Sequence, residues 1–306
     1  MRTIYLDCGM GAAGDMLTSA LLELHPEPAS FIDRMNALGI PGVRLEATSR
    51  TSCGIVGTHV RVTVDGEEEL SEDVPATADS DDDHAHEHDH ELDHVHEHSH
   101  DHHDHEHGHE HAHDHERDHA HAHEHAHDHE HAHHHHHTTL SDVEGLIGSL
   151  DVPEPVRTDA LAVFGSIAEA EAHAHGRPVD QIHFHEVGTA DAVADVVGVC
   201  LLFHELAPEL VLASPVAVGF GQVRCAHGVL PVPAPATAHI LRGVPIYAGR
   251  YRGELCTPTG AALLKRFVRE FVQMPLMVVD RIGYGMGTKD FGAASCVRAF
   301  LGECER

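Results

Sequence analysis

Apolar positions along the chain recur with two different periods, and one long stretch has neither. Thr3 to Leu6 reads as a short apolar strand, followed by a glycine-rich turn and a helix from about Ala13 to Leu24. Val43 to Ala47 and Ile55 to Val64 alternate as strands, with Gly39, Pro41, Gly42 and Gly54 between and around them. Further on, Leu140 to Leu150, Pro155 to Ala174 and Thr189 to Leu206 carry helical spacing, and Val211 to Val218 reads as a strand. Pro231, Pro233 and Pro235 impose an extended segment leading into a helix from about Ala236 to Leu241. Thr257 before Pro258 is an N-cap and first-turn pair for a helix running to about Val272, and Met277 to Ile282 looks like a last strand. Alternating element types predict an α/β or α+β fold, a mixed sheet with helices.

The stretch without a period runs from Asp81 to His137 and holds 28 of the chain's 37 histidines, 18 acids and one base, Arg117. Its only apolar residues larger than Ala are Leu92 and Val95, so it has no core to bury and is expected to be a disordered loop. The expected organisation is residues 1–78 and 139–306 as two parts of one α/β domain, with 79–138 inserted between them. A flexible insertion of this length adds little closure entropy. Near-strict alternation presents imidazoles at His84, His86 and His88, at His121, His123 and His125, and in the run His133, His134, His135, His136 and His137. Neutral imidazole suits nickel, copper, zinc and cobalt, and interleaved carboxylates raise the local cation concentration. The tract therefore reads as a multidentate metal binder that does not itself choose the metal.

Composition separates the tract from the rest. The chain carries a formal charge of −31, of which −17 belongs to the tract, leaving −14 on 249 residues. That acidic balance argues against nucleic acid or an anionic membrane as partner. The start MRTIYLDCGM lacks the regions of a signal peptide, and no apolar run is long enough to span a bilayer, so the expected compartment is the cytoplasm. Seven scattered cysteines form no CxxC pair and read as inert thiols in a reducing compartment.

Candidate chemistry sits at four places. The turn Gly9, Gly11, Gly14 is a literal GxGxxG after a strand, yet Asp7 and Asp15 flank it and would repel a pyrophosphate. It reads as a structural tight turn, or as a site where the two carboxylates meet a metal ion or a cationic ligand. His183 and His185 project to one face of HFHEVG and Glu186 to the other, and Asp191 and Asp195 lie one helical turn apart on the helix that follows. This set suits a metal site or acid/base work, with hydrogen-bonded structural histidines as the alternative; His173 and His175, just upstream, are expected to be solvent-exposed. Thr257 and Thr259 in ELCTPTG place hydroxyls and free N–H groups at a helix start, which either caps the helix without a ligand or binds an anion such as a phosphomonoester. GYGMGTKD, from Gly283 to Asp290, reads as a second flexible glycine loop, with Lys289 and the more distant Arg298 as phosphate partners.

Taken in order, DCGMGAAGDM, HFHEVGTADAVADVVG, HGVLPVPAPAT, ELCTPTGAALL and GYGMGTKDF, with a His-rich insertion before the second, resemble the LarC nickel-insertion proteins. The resemblance implies insertion of Ni²⁺ into pyridinium-3,5-bisthiocarboxylic acid mononucleotide by a cyclometallase of the lyase class. Two Ni–S bonds and one Ni–C bond form, with CTP hydrolysis, and the product is the nickel-pincer cofactor of lactate racemase-type recipient enzymes. It also implies that Cys296 to Glu303 lies where longer relatives continue into a domain binding CTP with Mg²⁺ or Mn²⁺. That part is expected to be absent here or supplied by a separate partner chain, and self-association into a homo-oligomer is expected. Gly9, Met10 and Cys256 depart from the family's usual residues. In this picture His183, His185 and Glu186 bind nickel or take a proton, and Asp7 and Asp15 face the cationic ring or a divalent ion. Thr257, Thr259, Lys289 and Arg298 then hold the phosphate. The competing readings are a nickel store or metallochaperone without catalysis, and a nucleotide-dependent oxidoreductase on the glycine turn.

The tract makes a direct prediction. With unperturbed imidazole pKa values of about 6.5, roughly nine in ten of its histidines are protonated at pH 5.5 against about a quarter at pH 7. Equilibrium dialysis should show most Ni²⁺ released at pH 5.5; equal binding at pH 7.5 and 5.5 rules the reading out.

Overall fold

The computed structural model describes residues 1–68, 72–73, 138–184, 189–225 and 227–305. The tract, with the histidines from His84 to His137, lies outside these residues, as do His185 and Glu186. The first strand, β1 (Arg2–Asp7), is followed by α1 (Gly14–Leu24), α2 (Pro28–Ala37) and the hairpin β2 (Val43–Ser52) and β3 (Ile55–Val64). Cys53 and Gly54 turn that hairpin, both at positive φ as a two-residue mirror turn requires. After the tract come α3 (Leu140–Ser149), α4 (Glu154–His175), α5 (Ala190–Leu206), β4 (Leu210–Ala213) and the hairpin β5 (Gln222–Cys225) and β6 (Gly228–Pro231). The remaining main elements are α6 (Pro235–Ile240), α7 (Pro258–Phe267), β7 (Glu270–Phe271), β8 (Met277–Met286) and β9 (Cys296–Cys304).

Seven strands form one mixed sheet in the order β7, β4, β1, β9, β8, β3, β2. β1 runs parallel to β4 and antiparallel to β9, with Asp7 opposite Arg298, while β3 joins β8 in parallel through Gly285 and Thr58. The main core, including Leu17, Leu21, Phe31, Phe164 and Leu202, lies between the sheet and its helices, and α5 is buried almost all round. Tyr5, Leu210, Leu212 and Phe300 form a second, small cluster. The expected mixed α/β architecture is what the described residues adopt. No helix among them is long and apolar enough to cross a membrane.

Four local readings change, the first being that α7 ends at Phe267, short of Val272, with strand β7 following at Glu270–Phe271. The segment from Gly283 is not a flexible loop as far as Met286 but the end of β8. A Cβ on Gly283 would overlap the Ala20 carbonyl and one on Gly285 the Met16 carbonyl, so these glycines let the α1 backbone lie directly on the strand. Helix α2 has no counterpart in the sequence reading, because only Phe31 and Met35 mark its buried face. Cys296–Cys304, read from sequence only as a boundary, is an inner strand between β1 and β8.

Gly11 sits at φ +84° where a Cβ would overlap the Leu255 carbonyl oxygen, whereas Gly39, at φ +74°, has nothing within 4 Å of its Cβ position. Gly39→Ala should cost about 1–2 kcal/mol, the left-handed penalty alone. Gly11→Ala adds displacement of backbone and should lower the melting temperature by at least about 5 °C more. Calorimetry of the two variants side by side checks this.

Candidate functional site

Ala12 ties two helix starts together. Its N–H donates to Leu255 O at 3.0 Å and its carbonyl accepts from Thr257 N–H at 3.1 Å, so the segment after β1 is bridged to the residues that begin α7. The contact is close because Gly260 has no Cβ; one there would overlap the Ala12 carbonyl oxygen. Gly14 plays the same part toward α5, since a Cβ on it would stand 2.5 Å from Asp195 Oδ2. The glycines of the GxGxxG string are thus packing devices of a tight turn, and the space above the α1 start is taken by a carboxylate.

A cavity of about 700 Å³ opens over this junction. Asp15, Asp191, Asp195 and Glu68 line it together with Thr257, Thr259 and Lys289. Helix α1 begins at Ala13 without a side-chain cap and carries Asp15 in its first turn, and the Asp15 N–H donates to the Asp195 carboxylate from α5. Helix α7 has no acid in its first turn, and Thr257 Oγ1 accepts from Gly260 N–H at 3.1 Å. Two helix dipoles of the same sense therefore face one cavity with opposite dressing: carboxylates already answer α1, whereas α7 keeps its positive end for an anion.

The carboxylates crowd each other. Asp191 Oδ1 and Asp195 Oδ1 are buried with no hydrogen-bond partner. Desolvation, then the charges of Asp15 and Asp191, push the Asp195 carboxyl well above the ordinary range, and desolvation also raises Asp15, against the pull of His59. Among the described residues no three His, Cys, Asp or Glu side chains gather closely enough to hold a metal ion, so this is an acidic field and not a closed cage. His59, buried at 6% exposure on β3, stands behind it. Its Nδ1 lies 3.1 Å from Met286 O and must donate there, while Nε2 faces Glu68 Oε1 at 3.4 Å and Asp15 Oδ2 is 3.9 Å from Nδ1. The imidazole thereby faces two lining carboxylates, Glu68 through Nε2 and Asp15 at longer range.

The rim is richer in nitrogen and sulfur. His175 at the end of α4, His183, Cys225 at the end of β5 and His227 in the β5–β6 turn all line the cavity. The ring of His175 lies 4.6 Å from that of His227, and His173 similarly meets His239 at 4.2 Å. Both described ends of the chain around the tract are fastened here. Asp73 Oδ1 accepts from Lys289 Nζ at 2.8 Å and from Glu254 N–H at 3.0 Å, and Thr139 pairs with His183. Cys8 and Cys256 are fully buried, and burial pushes both thiols up.

Of the residues singled out from sequence, Asp15, His183, Thr257, Thr259 and Lys289 line one cavity. Asp7 and Arg298 are instead bound to one another across β1 and β9, through Arg298 Nε at 3.0 Å and a second, shorter contact, and neither is among the lining residues. His185 and Glu186 lie outside the described residues. Sequence reasoning missed His59, Glu68 and Asp73. A lone histidine inside an alternating strand was the only mark of the first, and nothing local marks the other two.

A family model described as nickel insertion protein matches residues 4–306. Over 306 residues, the whole chain and 65% of the relative, the sequence is 38% identical to a pyridinium-3,5-bisthiocarboxylic acid mononucleotide nickel insertion protein from Clostridium acetobutylicum. It is 49% identical over 164 residues to a protein of the same name from Desulfitobacterium hafniense, covering 54% of this chain and 41% of that one. With another from a Nocardioides species it shares 50% identity over 165 residues, 54% of this chain and 42% of the relative. The chain thus spans between 41% and 65% of the length of these relatives. No solved structure matches it.

Because the folded state holds the Asp195 proton more tightly than the unfolded chain, stability falls as pH rises from about 3.9 through the raised folded value. Asp195→Asn keeps an acceptor for the Asp15 N–H and removes that loss. Its melting temperature should equal the parent's at pH 3 and exceed it at pH 7 by about 2–4 °C, the shift expected of about 1 kcal/mol at this chain length. A pH series of thermal melts in which the gap stays constant contradicts the assignment.

Proposed function

The chain belongs to the nickel insertion protein family, and on that premise we propose that it inserts Ni²⁺ into pyridinium-3,5-bisthiocarboxylic acid mononucleotide, the substrate in its relatives' names. The observation that carries the reading is the bipolar cavity: an anion-seeking helix start with Thr257 and Thr259, and a cluster of carboxylates led by Asp15 and Asp195. The substrate has the same two ends. Its phosphate suits the α7 start, where the Thr259 N–H, the two hydroxyls and Lys289 are at hand. Its cationic ring, and the nickel it receives, suit the acidic field.

Forming a Ni–C bond on the ring displaces a ring proton, which a base must take. A carboxylate raised above its ordinary range is better matched to that task than an ordinary one, and Asp15 is raised by desolvation with His59 beside it. His183 at the rim, with His185 and Glu186 next to it in sequence, is assigned to nickel handling. Asp7 and Arg298 are assigned to holding β1 and β9 in register beside the site. CTP hydrolysis with Mg²⁺ or Mn²⁺ is assigned to a C-terminal part or a separate partner chain, and the product passes to a lactate racemase-type enzyme.

The His-rich tract favours a second reading, nickel storage without catalysis, and its 28 histidines suit that task. The first reading uses the tract as supply. Its described flanks, Asp73 and Thr138–Thr139, are fastened to Lys289 and His183 at the cavity, which supports that use.

Mass spectrometry of the thiocarboxylate mononucleotide after incubation with Ni²⁺, CTP and this chain, with and without a C-terminal partner chain, tests the proposal. Nickel-bearing product is expected, and deleting residues 81–137 should leave it intact at saturating Ni²⁺. Asp15→Asn should slow metallation by about 10²-fold or more with substrate affinity nearly kept. Thr259→Val with Lys289→Ala should weaken substrate binding about tenfold or more. Absence of product in every combination overturns the reading.

A further inference from the structure

We infer that His175 and His227 form a two-imidazole landing site for nickel on the rim of the cavity. The two residues are distant in sequence and reach each other by different devices. Helix α4 ends at His175 because Gly176 follows at φ 62°, a left-handed cap, and His227 sits in the turn where Cys225 pairs with Gly228. Their ring centroids are 4.6 Å apart. Two imidazoles bound at right angles on one metal, with metal–nitrogen bonds of about 2.1 Å, place their centroids about 4.5 Å apart, and a tetrahedral angle spreads them to about 5.2 Å. The observed spacing leaves room for a cis pair on a square-planar or octahedral ion, the geometries nickel adopts, with the two ring planes 46° apart.

The surroundings support a ligand role. Glu171 Oε2 lies 3.5 Å from His175 Nε2, one helical turn back, which directs the other ring nitrogen, Nδ1, to a metal in the usual carboxylate–histidine–metal order. His175 and His227 both line the cavity and are exposed, so an ion is accessible from solvent and from the carboxylates below. No third His, Cys, Asp or Glu completes a cage among the described residues. Two protein ligands with water in the remaining positions make a site that takes an ion and gives it up, as handing nickel to sulfur donors requires. The inference rests on the nickel-insertion reading for the identity of the metal only.

The test uses crystals of the full chain soaked in nickel chloride at a concentration exceeding the capacity of the tract, with diffraction recorded on both sides of the nickel absorption edge. An anomalous peak is expected between the two rings, about 2.1 Å from a nitrogen of each, and lost in His175→Ala with His227→Ala. In solution the double variant should keep the parent's melting temperature and metallate about tenfold more slowly at limiting Ni²⁺, with an unchanged rate at saturation. Nickel density confined to other places, or equal rates at limiting Ni²⁺, overturns the landing site. If the peak is absent while product forms, the landing site fails and the insertase reading stands; a peak without product has the reverse meaning.

Discussion

The structure depends on how closely backbone can approach backbone at Ala12. A peptide unit bonded on both sides, to Leu255 and Thr257, fixes the starts of α1 and α7 against each other, and glycine at positions 11 and 260 is what permits it. The same economy recurs where α1 lies on Gly283 and Gly285 of β8 and where Gly14 meets Asp195. Each contact replaces a side chain by main chain, so the helices sit lower on the sheet than ordinary packing allows. Their N-termini consequently open on a shared space.

Once two like dipoles face one cavity, their side chains decide what it holds. At α1 the positive end is already answered by Asp15 and Asp195, and the surplus of carboxylate turns the region negative. At α7 a threonine cap satisfies one N–H and leaves the field uncancelled. Burial magnifies both effects, because charge in a partly desolvated cleft is screened less than on open surface. The raised Asp195 carboxyl is the direct expression of that crowding. The two unpartnered Oδ1 atoms mark where the protein has left acceptor capacity unused.

Much of this was legible in the sequence, for reasons that differ by residue. Strands β1 and β3 and helices α1, α3, α4 and α5 announce themselves by period, and Thr257 with Pro258 announces the α7 start by cap chemistry. Asp191 and Asp195 share a helix face by spacing alone. Helix α2 escaped because two buried residues in ten give almost no period, and β9 because Cys296 to Cys304 is buried on both faces and so does not alternate. Glycines in Gly283 to Gly287 read as a loop when their real task is to receive a helix. Asp7 and Arg298 looked like free functional groups, yet strand register, which no single sequence reveals, sets them opposite each other. His59 and Glu68 belong to the site through tertiary contact only, and their roles become readable when β3 is laid beside α1.

The division between tract and cavity follows from what each can do with a metal. Alternating imidazoles with interleaved carboxylates, as the tract's sequence has them, suit capture of many ions and discriminate poorly. Under the proposed function, a catalyst that must surrender nickel to its substrate gains nothing from a tight cage of its own, since every ligand it adds must be removed again. A cavity with raised carboxylates and, among the described residues, no closed set of three ligands draws a cation by field while leaving its coordination sphere to the substrate. Under the proposed function, the sparseness of ligands among the described residues of the cavity, set beside the histidines of the tract, is what transfer requires.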